Sequence, residues 1–234
     1  MSRISIILPT YNEEGNILKL SKILTQILKK ITNNFEIIIV DDNSQDKTVQ
    51  LVKKYSNNNN HIKLFVRQNK RSLAKSILLG IKKAQGNYLV VMDSDFNHDP
   101  KIIPQMIILL NYYDMVIGSR YVFGGGMDDK ARERASFFYN LFIRIVLKTR
   151  MSDNLSGYFC ISKSNLESLP LSEIFYGYGD YFIRLLLFAK LKRLNLIEIP
   201  TWYRIRNFGE SKSNLISMLY HYTKTVLELS KEKP

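Results

Sequence analysis

An α/β protein with an open, mostly parallel sheet flanked by helices is the fold class the sequence predicts, and three observations carry that expectation. Short β-branched runs alternate with helix-period segments through the first half of the chain. The runs are apolar at almost every position, so both faces of the sheet need covering, as in parallel sheets between helix layers. Aspartates close two of them, at the carboxyl edge where open α/β sheets hold their ligands.

Taken in order, ISIILP (Ile4 to Pro9) reads as a first strand. Asn16 to Ile31 follows as a helix with Ile17, Leu20, Ile23, Leu24, Ile27 and Leu28 on one face. FEIIIVDD (Phe35 to Asp42) is a second strand, and Ser44 and Asp46 can cap a helix over Lys47 to Tyr55. IKLFV (Ile62 to Val66) is a third strand, Leu73 to Ala84 a helix, and YLVVMD (Tyr88 to Asp93) a fourth strand. Asp99 stands as an N-cap with Pro100 at the first helical position, opening a helix to about Tyr112. Right-handed crossovers turn this βαβαβαβ pattern into one open sheet.

From Met115 the rhythm changes. A strand in DMVIGSR leads to the glycine loop FGGGMDD (Phe123 to Asp129) and a long helix from Lys130 to about Thr149. After the short SDNLSGYFCIS segment come a helix from Asp180 to about Leu194, the strand LIEIP, and WYRIRNFGESK before a last helix, Asn214 to about Leu229. No Pro/Ser-rich linker and no repeat interrupts residues 1–234, which therefore read as one domain.

Composition narrows the partners. The chain has no run of 18 apolar residues, and MSRISIILPTYNEE is too short in apolar length for a secretory signal, so a cytosolic protein is expected. A single cysteine, Cys160, agrees with a reducing compartment. The formal net charge of +13 favours an anionic partner, with nucleic acid, a sugar nucleotide or anionic lipid all open. Neither G-x-G-x-x-G after the first strand nor a G-x-x-x-x-G-K-[ST] loop occurs, which argues against a dinucleotide fold and a P-loop.

The stretch VVMDSDFNHDP ends the fourth strand with Asp93 and Asp95 two residues apart. Hard carboxylate oxygens so placed can reach one Mg2+ or Mn2+, with Asn97 as a third oxygen, although a solvated loop explains the same residues. His98, with His61 and His221 remote, reads as a loop histidine. Arg120 ends a strand, Arg132 and Ser136 stand at i and i+4 on a helix, and Arg206 and Lys212 flank a glycine-containing loop. Guanidinium forks suit phosphate oxygens. The helix after Lys130 carries Phe137, Phe138, Leu141, Phe142, Ile145 and Val146, bordered by Arg134, Arg144, Lys148 and Arg150. Core packing and a surface lying on lipid both fit so broad a stripe.

Together, ILPTYNEEGNI, IIIVDDNSQDKT, AQGNYLVVMDSDFNHDP, VIGSRY, SDNLSGYF and IEIPTWYRIRNFGESK resemble, in this order and spacing, a family 2 glycosyltransferase of the GT-A type. Within that family they are most similar to the dolichol-phosphate mannosyltransferase group. The resemblance implies a nucleotide-diphospho-sugar transferase fold. It assigns Pro9, Tyr11, Glu13, Val40 and Asp42 to the nucleotide and ribose of the donor. Asp93, Ser94 and Asp95 become its D-x-D, with Asn97 where some members place a metal ligand. Arg120, Arg132, Ser136, Arg206 and Lys212 fall around the donor diphosphate and acceptor phosphate. QNKRSLAKSILLG departs from the glycines usual there, and GYGDYF from an acidic helix start, with Asp180 able to serve the same end.

The expected activity is inverting, divalent-metal-dependent transfer of a sugar, with GDP-mannose the favoured donor, to a polyprenyl (dolichyl) monophosphate. Asp95, Arg120 and Asp180 are its candidate catalytic residues. Nucleic acid drops out as a partner. Attachment to the cytoplasmic face of a membrane would come from the amphipathic helices or a membrane-anchoring subunit. Two alternatives stand beside this: transfer to a soluble or protein hydroxyl with Asp180 as general base, and a non-catalytic basic protein that binds lipid or nucleic acid.

Overall fold

The computed structural model describes residues 3–177, 179–204 and 215–231. The first half follows the expected alternation: β1 (Ile4–Thr10), α1 (Ile17–Lys29), β2 (Phe35–Asp41), α2 (Thr48–Ser56), β3 (Ile62–Val66), α3 (Leu73–Lys83) and β4 (Tyr88–Val91). β4 stops two residues before Asp93, which places both aspartates of the D-x-D in the turn beyond the strand. The helix expected from Pro100 to about Tyr112 is a 3-10 turn, Pro100–Ile102, followed by the short α4 (Ile103–Leu109). A second proline, Pro104, has no N–H to continue the ladder, so the helix restarts around it.

The second half contains β5 (Met115–Ser119), β6 (Gly126–Met127), α5 (Lys130–Leu147), β7 (Phe159–Ser162), α6 (Lys163–Glu167), α7 (Leu171–Ile174), α8 (Tyr181–Leu191), β8 (Leu196–Pro200), β9 (Trp202–Tyr203) and α9 (Leu215–Lys231). Among the described residues, seven strands form one sheet in the order β3-β2-β1-β4-β7-β5-β8, and β6 pairs with β9 in a second. All pairings in the large sheet are parallel except those of β7, which runs antiparallel between β4 and β5. Nothing in the four-residue run FCIS gave its pairing direction, so this inserted strand lay outside the sequence reading.

Alternation along the strands splits the core. Ile7, Ile38, Val40, Leu89, Val91 and Phe159 face α3 and α8, packing on Ala74, Ile77, Phe182 and Leu185. Ile6, Leu8, Ile37, Ile39, Val90 and Cys160 face the opposite way, onto Ile17, Leu20 and Leu24 of α1. α3 lies so close to the sheet that a Cβ on Gly80 would come 2.4 Å from Ile7 Cγ2, which is why a glycine interrupts its apolar face. A third cluster joins α5, α8 and α9 through Ile143, Leu147, Ile183, Leu187, Tyr222 and Val226.

Candidate active site

Strand order decides where a ligand can sit. β1 has β2 on one side and β4 on the other, all parallel, so successive connections diverge and open a crevice at their carboxyl ends. The chain leaving β1 enters that crevice through Tyr11 to Glu13, and the chain leaving β4 enters it through Asp93 to Asn97. Ser94 Oγ donates to the Pro9 carbonyl at 3.0 Å and fastens the two exits together.

The two aspartates differ in setting. The Asp93 side chain is 41% exposed, whereas Asp95 is buried. Asp95 Oδ1 accepts the Asn97 backbone N–H at 3.0 Å and Oδ2 accepts the Asn97 side-chain amide at 2.9 Å, a local turn that Phe96 completes at φ 66°. Asn97 thus stands beside the pair and braces Asp95 through its nitrogens. The oxygens of Asp93 and Asp95 fit Mg2+ or Mn2+, which bind few carboxylates and fill their shell with water and phosphate. No three His, Cys, Asp or Glu side chains converge among the described residues, so further ligands to an ion here would come from outside that set. His98 is fully buried, and burial pushes its pKa down to about 4, leaving the ring neutral.

In the loop after β1, Glu13 is buried and accepts the Asn16 side-chain amide at 2.7 Å. Its backbone N–H donates to Thr48 Oγ1 at 2.9 Å, tying the loop after β1 to the start of α2. The Arg71 guanidinium lies 4.5 Å from the Tyr11 ring centroid. Asp42 takes the Ser72 backbone N–H at 2.6 Å and pairs with buried Arg67. Burial pushes the Asp42 carboxyl up, against the pull of Ser72 and Arg67. Val40 is wholly in the core, so only its backbone faces the edge.

Arg120 is more constrained than expected. Its backbone N–H, Nε and Nη2 all donate to Asp153, at 3.1, 2.7 and 2.6 Å, and both residues are buried. Burial opposes its charge, but Asp153 more than offsets this and lifts the pKa above the ordinary arginine value. Glu198 in turn accepts the backbone N–H groups of Ser152 and Asp153 at 2.7 and 2.8 Å, fixing the loop that carries the partner carboxylate. The Arg120 guanidinium also lies 4.6 Å from the Tyr203 ring centroid. Asp153 and Tyr203 sit in quoted motifs, yet no local spacing links either to Arg120, which lies 33 residues from Asp153.

Arg132 is exposed in the first turn of α5 and Ser136 is half-buried a turn later. Asp180 is buried, and its Oδ2 accepts from Arg184 Nη1 and Thr225 Oγ1, both at 2.5 Å. That network binds the start of α8 to α9 and leaves Asp180 poorly placed as a general base. Arg206 and Lys212 lie outside the described residues.

The aromatic stripe divides. Ile143 and Leu147 are buried with Phe142 and Val146 against α8 and α9. Phe138 and Ile145 remain 67% and 68% exposed, next to Phe137 and Leu141. Phe137, Phe138, Tyr121, Glu133 and Arg134 line an open groove of about 360 Å³.

The Glycosyl transferase family 2 pattern matches residues 5–169. The chain belongs to glycosyltransferase family 2. Among relatives of this family member, the dolichol-phosphate mannosyltransferase of Pyrococcus furiosus is 34% identical over 90% of this chain and 59% of its own length. That of Saccharomyces cerevisiae is 32% identical over 89% of this chain and 80% of its own. The family 2 chain thus spans under two thirds of the archaeal relative. Its fold is GT-A. Glucosyl-3-phosphoglycerate synthase from Mycobacterium tuberculosis, solved with Mn2+, uridine-diphosphate and phosphoglyceric acid, superposes with a TM-score of 0.72 at 18% identity, covering 100% of this chain and 80% of that one. S. aureus TarS in complex with UDP-GlcNAc gives 0.65 at 21% identity, covering 97% and 66%.

Proposed function

We propose that the chain works as one catalytic domain that transfers a sugar, mannose from GDP-mannose, to a polyprenyl monophosphate with inversion. The observation that carries this reading is the pair Asp93 and Asp95 at the crevice between β1 and β4, one accessible and one braced. The names of the relatives support the sugar and the acceptor.

In the reaction an acceptor phosphate oxygen attacks the anomeric carbon, its bond to the donor diphosphate breaks, and the nucleoside diphosphate leaves. That oxygen is already anionic near neutral pH, so positioning and charge stabilisation suffice without a strong base. The buried ion pair and hydrogen bonds of Asp180 agree with this, and they count against a hydroxyl acceptor activated by that residue. Mg2+ or Mn2+ bound by Asp93 and Asp95 would supply charge for the leaving diphosphate. Tyr11, Glu13 and Asp42 would hold the nucleoside, while Arg132 and Ser136 receive the acceptor phosphate. Arg120, neutralised and held by Asp153, would offer a fixed, oriented donor, with Arg206 and Lys212 proposed to supply net positive charge.

The exposed Phe138 and Ile145 face, flanked by Arg134 and Arg144, would rest on the cytoplasmic surface of a membrane beside the lipid tail. No helix among the described residues is long and apolar enough to cross a membrane. A membrane-anchoring subunit would strengthen that contact.

The test is a panel of nucleotide sugars and short polyprenyl phosphates, with and without Mg2+ or Mn2+, read by mass spectrometry of lipid-linked product. Product only with soluble hydroxyl acceptors would reverse the acceptor assignment. Arg132→Ala is expected to raise the acceptor KM while leaving donor binding intact; equal loss of both would remove Arg132 from the acceptor site.

A further inference from the structure

His98 is the member of VVMDSDFNHDP to which the proposed reaction gives no task, yet it is fully buried and bonded through both ring nitrogens. The Asp93 backbone N–H points to Nδ1 at 3.0 Å. An amide N–H can only donate, so Nδ1 accepts and the ring proton sits on Nε2. Nε2 donates to Tyr203 Oη at 2.8 Å, and Tyr203 donates onward to the Ser156 carbonyl at 2.7 Å. The imidazole stacks on Tyr158 with centroids 4.7 Å apart and planes 13° from parallel, which fixes its orientation. The Arg120 guanidinium lies 4.6 Å from the Tyr203 ring centroid.

Filling space would be met by any ring of the right size. Here the residue after β4 that carries the accessible carboxylate is held by one nitrogen. The aromatic ring that faces Arg120 is held by the other. Two hydrogen bonds and the contact of the Tyr203 ring with Arg120 therefore connect the D-x-D turn to the end of β5, although neither neighbours the other in sequence.

We infer that His98 is a positioning residue for the donor end of the site. Its Nδ1 fixes the backbone of Asp93, and thereby the carboxylate offered to a divalent ion. Its Nε2, through Tyr203, keeps that turn in register with Arg120. The inference rests on the proposed reading of Asp93 and Asp95 as the ion's ligands. Partners that orient ligands from behind typically control metal affinity by 10- to 100-fold.

Two variants separate the nitrogens. In His98→Asn the side-chain oxygen can take the place of Nδ1 and accept from Asp93. In His98→Gln the amide reaches the place of Nε2, donates to Tyr203 and leaves the Asp93 N–H unmet. Mn2+ alone is titrated into the native protein and each variant, with free ion followed by electron paramagnetic resonance and folding checked by circular dichroism. His98→Gln is expected to bind Mn2+ about tenfold more weakly than native, at the lower end of that range, and His98→Asn, which loses only the bond to Tyr203, to fall between native and His98→Gln.

Should His98→Gln not fold, Tyr203→Phe, which keeps the ring and removes only the hydroxyl, reads the second arm. Its expected affinity matches that of His98→Asn, which lacks the same bond, and native affinity would refute the coupling. Folded His98→Gln with native Mn2+ affinity overturns the inference. So does equal weakening of both His98 variants in step with their melting temperatures, the mark of a merely structural residue. Absence of Mn2+ binding by the native protein would instead refute the ligand assignment itself and take the inference with it.

Discussion

Strand β2 has a buried carboxylate at its start, Glu36, and another just past its end, Asp42. Glu36 meets Lys63 at 2.6 Å, Arg3 at 3.1 Å, Ser5 Oγ at 2.6 Å and the Gln85 backbone N–H at 2.6 Å. Burial pushes its pKa up, but these partners overcome it and hold the carboxyl below the usual value. Asp42 has Arg67 and the Ser72 N–H, but Arg67 also serves the Lys70 and Ser72 carbonyls and Ser76 Oγ, and burial prevails. At the amino edge the sheet closes a charge completely. Just past the carboxyl end of β2, Asp42 is compensated less fully by its partners than Glu36 is.

The largest effect that could break this contrast belongs to Asp95→Asn. Removing one ligand carboxylate should lower kcat/KM by on the order of 10²- to 10³-fold, as expected when several kcal/mol of charge stabilisation are lost, with the melting temperature little changed. Asp153→Asn comes next. It leaves Arg120 as a buried charge without its anion, so urea denaturation should register a loss of about 3–5 kcal/mol together with reduced turnover. Near-native stability would mean Arg120 finds another partner.

Glu36→Gln should cost about 1–3 kcal/mol from the unmet donors and leave turnover per folded molecule unchanged. A fall in turnover would erase the division between the edges. The smallest effect is the acid limb of stability. Because the folded pKa of Glu36 is lowered, its contribution is complete above the unfolded glutamate value and is lost as pH falls through the lower folded value. Thermal melts of native protein should therefore steepen in acid below about pH 4.5, and Glu36→Gln should flatten that limb. Asp42, with its pKa raised, contributes with the opposite sign: its share is present below the unfolded aspartate value and declines as pH rises through the folded one.

Much of the frame was legible because its signals are local. Apolar runs marked β1 to β3 within a residue or two, and Asp99-Pro100 marked a helix start where the structure opens a 3-10 turn before α4. The D-x-D could be placed in the sequence because a strand pattern precedes it and a cap follows it. What escaped is what depends on distant pairing. β7 enters antiparallel from a four-residue run, and Asp153 reaches Arg120 across 33 residues. His98 read as a loop residue, since nothing beside it in the sequence announces Tyr158 or Tyr203, the rings that bury it. Asp180 read as a candidate catalytic residue or general base because its partners Arg184, one turn on, and Thr225 of α9 come together only in the fold.

The most direct test of the carboxyl edge as a donor site is calorimetric titration of GDP-mannose and UDP-glucose into the native protein, with Mn2+ and with a chelator. Binding of a nucleotide sugar that Mn2+ strengthens and Asp95→Asn abolishes, while Glu36→Gln leaves it intact, is the predicted result. Failure of either sugar nucleotide to bind with or without the ion, or undiminished binding by Asp95→Asn, would contradict it.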